Sequence, residues 1–117
     1  SSGRLWIQTD GSFANTGNFD GQGNNQMLAA DIASGEIRRF LTGPRGCEMT
    51  GVITTPDQRT MFVNVQHPGE STTFWNGVAG GPPSPANPTA VSSWPFGGRP
   101  RSATVVIRKN DGGVIGT

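Results

Sequence analysis

Short extended runs, each closed by Gly, Asn, Asp or Pro, recur along this chain, and nowhere does a helical period persist for a useful length. Such a pattern excludes helical bundles and points to an all-β fold with many turns. Residues 4–9 form the first run, ended by Asp10-Gly11. Residues 26–32 and 36–41 flank Ala33-Ser34-Gly35, a short loop with Gly available for positive φ. In the second of these, Ile37, Arg39 and Leu41 alternate with Glu36, Arg38 and Phe40. Residues 50–54 and 60–66 flank Thr55-Pro56-Asp57-Gln58, with Pro where a type I turn favours it. There Met61, Val63 and Val65 share one face, opposite Phe62, Asn64 and Gln66. A last pair, 103–108 and 113–116, flanks Asn110-Asp111-Gly112, a strong hairpin signal.

Composition agrees with a turn-rich chain of modest core. Among 117 residues, 18 are Gly and 9 are Pro, close to the roughly 25–30% at which disorder becomes the default reading. Most of these residues fall in two segments, 11–24 and 67–102, which are too long for ordinary connections and so mark special loops. The net charge of +1 argues against a nucleic-acid footprint or a polybasic membrane segment. No apolar run reaches the roughly 18 residues of a membrane span. The single Cys, Cys47, excludes an internal disulfide and leaves the redox compartment open. With no initiating Met and no signal peptide, the sequence reads as a piece or processed product of a longer protein.

The spacing of the runs suggests a repeat. Runs 50–54, 60–66, 103–108 and 113–116 make one four-stranded antiparallel meander, A to D. The three earlier runs match strands B, C and D of a preceding unit. Meanders of this size are the blades of β-propellers, which need about 4–8 of them to close. The expected architecture is therefore a two-blade propeller fragment, with a small sandwich as the alternative. Residues 1–43 hold strands B–D of one blade; residues 44–117 hold the next, with a long B–C insertion over 67–102. In that arrangement 11–24, 42–49 and 67–102 converge on one rim, while Gly35, Pro56-Asp57 and Asp111-Gly112 sit opposite. The long loops share a face, which is the expected functional face. An open arc leaves strand edges uncovered, so the isolated segment is expected to dimerise, swap strands or be marginally stable.

Several stretches carry a family likeness: Gly-Arg-Leu-Trp-Ile-Gln-Thr-Asp-Gly (3–11), Gly-Asn-Asn-Gln-Met-Leu (23–28), Gly-Pro-Arg-Gly-Cys-Glu-Met-Thr-Gly (43–51), Met-Phe-Val-Asn-Val-Gln-His-Pro-Gly-Glu (61–70) and Arg-Pro-Arg-Ser-Ala-Thr-Val-Val-Ile-Arg-Lys (99–109). Together they resemble the C-terminal part of the PhoX-type alkaline phosphatases, most specifically over 43–70. The resemblance implies a six-bladed propeller whose last two blades lie here. It also implies export to the periplasm or beyond, and hydrolysis of phosphate monoesters with calcium and iron at the propeller centre. Most of the family's metal-site segments lie upstream, so the segment alone is expected to be inactive. Rival readings are a non-catalytic propeller used for binding or scaffolding, and a calcium-dependent propeller lactonase or esterase.

Six residues and three aromatics are the candidates for chemistry. Glu48 lies in the D–A connection before an inner strand, where a carboxylate can face the channel and serve a hard cation that needs several oxygens. The alternative is a solvated or salt-bridged loop residue, and the resemblance favours the metal role. Arg45 offers a planar fork of donors to a phosphate dianion, or pairs with Glu48 or Asp10 at the surface. His67, the only His, ends a strand before Pro68-Gly69 and is read as a proton shuttle, a metal ligand or a structural hydrogen-bonder. Asp10 and Glu70 are further metal candidates on the same rim. Cys47 is either a thiolate ligand or a small buried hydrophobe. The stretch 21–25 lacks the third Gly and the helix of a dinucleotide fingerprint, and reads as a tight turn. Trp75, Trp94 and Phe96 either stack on a substrate or pack the long insertion onto the blade.

Overall fold

A computed structural model describes residues 3–11, 20–70 and 83–117. Six strands form: β1 (Arg4–Gln8), β2 (Gln26–Asp31), β3 (Ile37–Thr42), β4 (Glu48–Thr54), β5 (Met61–Gln66) and β6 (Ala103–Ile107). They make two antiparallel three-stranded sheets, β1-β2-β3 and β4-β5-β6, each a meander in chain order. No helix occurs among the described residues, so the all-β expectation holds.

The sheets pack face to face through β1, β2 and β4. Met27, Cys47, Met49, Met61, Val63, Val65 and Ile115 form the core, with Trp6, Phe40, Leu41, Trp94, Val105 and Ile107 packed around it. The alternation in β5 sorts as its sequence dictates: Met61, Val63 and Val65 are buried while Asn64 and Gln66 face solvent. Burying one such side chain contributes about 1.5–3 kcal/mol. Three methionines and a thiol fill an irregular gap that stiffer residues would leave void.

Two bulges adjust the faces. In β2 the register shifts between Met27 and Leu28, so Met27 opposes Leu41 and Leu28 opposes Arg39. Phe40 and Leu41 therefore both reach the core, against the simple alternation expected for 36–41. Phe40 meets the edge of Trp6, with ring centroids 4.9 Å apart. In β4, Gly51 is the extra residue, at φ 53°; a Cβ there would lie 2.7 Å from the Asn64 amide nitrogen.

One expected strand is absent. Residues 113–116 are not a fourth strand; Asp111 Oδ1 accepts from Gly113 N at 2.8 Å, and Gly112 and Gly116 take positive φ. The turn carries Ile115 down into the core, where its N–H donates to Gln58 O at 2.9 Å. Burying Ile115 between the sheets wins over extending the second one. The four-stranded meander is thus corrected to three strands among the described residues. The next turn closes the molecule on itself: Arg4 Nε donates to Gly116 O, and Trp6 lies against Gly116.

Candidate functional site

At one end of the two sheets, segments 20–25, 43–47 and 67–70 come together. Pro44-Arg45-Gly46-Cys47 is a turn closed by Cys47 N–H donating to Pro44 O at 3.2 Å, with Gly46 in the left-handed region at φ 71°. Gly46 is required twice over. A Cβ would meet the backbone nitrogen of Gly69 at 3.0 Å, and the chain there already demands positive φ. That close approach lets Gly69 N–H donate to Arg45 O at 2.8 Å, which joins the two loops. Arg45 stands exposed at the turn, and no ion pair to Glu48 or Asp10 forms.

Glu48 is the first residue of β4, opposite Gln66, so it belongs to the strand instead of the connection before it. Its carboxylate lies 3.4 Å from His67 Nε2, and Glu70 lies 3.1 Å from His67 Nδ1. His67 sits at φ 37°, an uncommon region for a residue with a Cβ. Its N–H donates to Ser102 Oγ at 2.9 Å, and Glu70 N–H donates to its carbonyl at 3.1 Å. The ring is thereby held between two carboxylates. An imidazolium donates to both, whereas a neutral ring donates to only one at a time. Beside it opens a cleft of about 440 Å³, lined by His67, Glu70, Ser84, Arg99, Ser102 and five prolines.

Cys47 has no exposed surface, and desolvation pushes its thiol up to about 12 despite the hydrogen bond from Asn24. It is a protonated core thiol 3.9 Å from the Met49 sulfur, an environment for packing and not for metal ligation. Asp10 lies exposed just after β1. Among the described residues, no three His, Cys, Asp or Glu side chains are grouped to hold a metal ion. Glu48 offers the hard oxygens that suit calcium, as one contributor and not a complete shell.

The residues that sequence reading passed over are Asn24 and Asn25, both buried. Asn24 Nδ2 donates to Cys47 O at 2.9 Å, and its Oδ1 accepts from Gly46 N at 3.2 Å. Asn25 Nδ2 also donates to Cys47 O, at 3.1 Å. The stretch read as a tight turn is thus an amide tie to the Glu48 loop. The signal available was two adjacent amides directly before an apolar run. Trp94 packs against the core while Phe96 is 89% exposed; Trp75 lies outside the described residues.

The family model for alkaline phosphatase PhoX matches residues 1–69. The chain belongs to the PhoX alkaline phosphatase family. A solved structure of Pseudomonas fluorescens PhoX in complex with vanadate, a transition state analogue, is 50% identical, with a TM-score of 0.72. The match covers 97% of this chain and 17% of that one, so the chain spans about a sixth of its structural relative. No curated protein matches the chain.

Proposed function

We propose that this chain is the C-terminal, two-blade part of an exported propeller phosphatase that hydrolyses phosphate monoesters with calcium. The observation that carries the reading is the 50% identity over nearly the whole chain to a PhoX protein that binds a transition state analogue. The blade assignment takes β1-β2-β3 as strands B–D of the penultimate blade and β4-β5-β6 as strands A–C of the final one. It is supported by the outer faces of both sheets. Leu5 and Ile37 on one, and Ile53 and Val106 on the other, are more than half exposed, as surfaces that further sheets cover would be.

In this reading Glu48 supplies one carboxylate to calcium, with Asp10 and Glu70 as further contributors from the same end. A bound calcium supplies positive charge that neutralises the phosphate and lowers the barrier to attack by an oxygen nucleophile. Arg45, exposed and free of carboxylate partners among the described residues, orients the phosphate through its forked donors. His67 holds Glu48 in place and is within reach to move a proton at Nε2. The adjoining cleft takes the organic part of the ester. Any iron would have to draw on carboxylate and imidazole donors such as Glu48, Glu70 and His67, because the Cys47 thiol is buried and protonated.

The test uses the full-length protein. Calcium-dependent phosphate release from p-nitrophenyl phosphate is expected, with lactones not turned over. Glu48→Gln is expected to weaken calcium binding and slow turnover together; no change in either overturns the assignment. The purified 117-residue segment is expected to be inactive, and robust hydrolysis by it alone would contradict the two-blade reading.

A further inference from the structure

We infer that Asn25 is a positioning residue that holds Asp10 and Glu48 in one fixed relation, so that they act as parts of a single cation site. The inference rests on the proposed calcium role of those two carboxylates. It starts from an amide used on both sides. Asn25 Oδ1 accepts from Thr9 Oγ1 at 3.0 Å and from Gly11 N at 2.7 Å, the two residues that bracket Asp10. Asn25 Nδ2 donates to the carbonyl of Cys47 at 3.1 Å, the residue immediately before Glu48.

The surrounding bonds prevent the amide from shifting. Asn25 O accepts from Gly43 N at 2.8 Å, Gln26 N donates to Thr9 Oγ1 at 2.8 Å, and Asn24 Nδ2 shares the Cys47 carbonyl at 2.9 Å. With Asn25 only 8% exposed, water offers no ready substitute for these partners. Only a group with both a donor and an acceptor can bridge the two loops. A carboxylate at this position would keep the Thr9 and Gly11 bonds and turn an oxygen lone pair against the Cys47 carbonyl. Asp10 and Glu48 are far apart in sequence, one just after β1 and the other opening β4, and among the described residues Asn25 is the side chain that bonds to the segments flanking both. Calcium pays for every ångström of ligand disorder in affinity, and outer-sphere partners of this kind typically govern about 10–100-fold of it.

The decisive experiment titrates calcium into the full-length protein by calorimetry, alongside melting curves without calcium. Asn25→Asp is expected to raise the calcium Kd about tenfold or more. Thr9→Val, which removes the hydroxyl's bonds to Asn25 Oδ1 and from Gln26 N and leaves the Gly11 bond in place, is expected to raise it by a smaller factor. Thr60→Val is the control: Thr60 is buried at the opposite end and accepts from Arg108 Nε at 3.0 Å, so it lowers the melting temperature without changing the calcium Kd. Unchanged affinity in Asn25→Asp, or equal weakening in the Thr60→Val control, overturns the inference. If wild type binds no calcium at all, the calcium reading itself falls and takes this inference with it. Should Asn25→Asp fail to fold, Thr9→Val decides, because an unaltered Kd there is equally fatal.

Discussion

The two ends of this molecule solve the same problem, closing backbone turns, by opposite means. At the end away from the candidate site, each turn is closed by an Asp of its own. Asp31 Oδ1 accepts from Ser34 N at 2.8 Å, Asp57 Oδ1 from Thr55 Oγ1 at 2.6 Å, and Asp111 Oδ1 from Gly113 N at 2.8 Å. At the site end each turn has its own backbone bond, Cys47 N to Pro44 O and Glu70 N to His67 O, and takes its further bonds from other segments. The loop at 43–47 depends on amides from 24–25, and the loop at 67–70 depends on Arg45 O and Ser102. Local closure fixes the shape of each far turn from within, and Arg59, donating to Gly112 O at 2.9 Å, links two of them. Mutual closure makes the site end a single unit, which is what convergent ligand geometry needs.

Substitution can break that contrast at its most sensitive point. Gly43→Ala would drive a methyl into the Cys47 sulfur and to 2.8 Å from the Met49 sulfur, with Asn25 O at 3.2 Å. A loss of about 3 kcal/mol is expected from overpacking of this kind, read as a lower urea midpoint of the intact protein. Gly46→Ala comes next, at about 2 kcal/mol, from the left-handed backbone and the contact with Gly69. An unaltered urea midpoint for Gly46→Ala would show that the two loops are not locked together.

Much of this arrangement was legible in the sequence, and what was not has a common cause. The strand positions, the buried face of β5 and the tight turn at Ala33-Ser34-Gly35 are short-range properties, and they appear in the structure. The hairpin expected at Asn110-Asp111-Gly112 had the right turn chemistry and no second strand, because Ile115 gains more from the core than from pairing. The paired roles of Asn24 and Asn25 were hidden since their partners are about twenty residues distant, and no local rule predicts a buried amide. Chemical type alone singles out Arg45, Glu48 and His67. Their mutual distances could come only from the fold.

Smaller effects sharpen the comparison further. Cys47 is neutral in the folded protein to about pH 12, while an unfolded thiol ionises from about 9. Its contribution to stability is therefore complete below pH 9 and is lost as pH rises toward 12. The matching observation is a thiol that resists alkylation when folded and reacts on unfolding. At the far end, the hydroxyl of Thr55 and the Arg59 N–H hold the Asp57 carboxyl below its usual 3.8. That stabilisation exists above pH 3.8 and is lost as pH falls through the lowered value. Asp57→Asn should thus cost a little stability at neutral pH and nothing in acid, with calcium affinity untouched throughout. A change in calcium affinity would show that the far turns are coupled to the site end.

The contact between Arg4 and Gly116 has a practical side. The first strand and the last turn meet at the end remote from the candidate site, so the two ends of the described chain are neighbours there. Labels attached at both ends would report whether the sheets stay together, and would leave the loops around Glu48 clear for ligand.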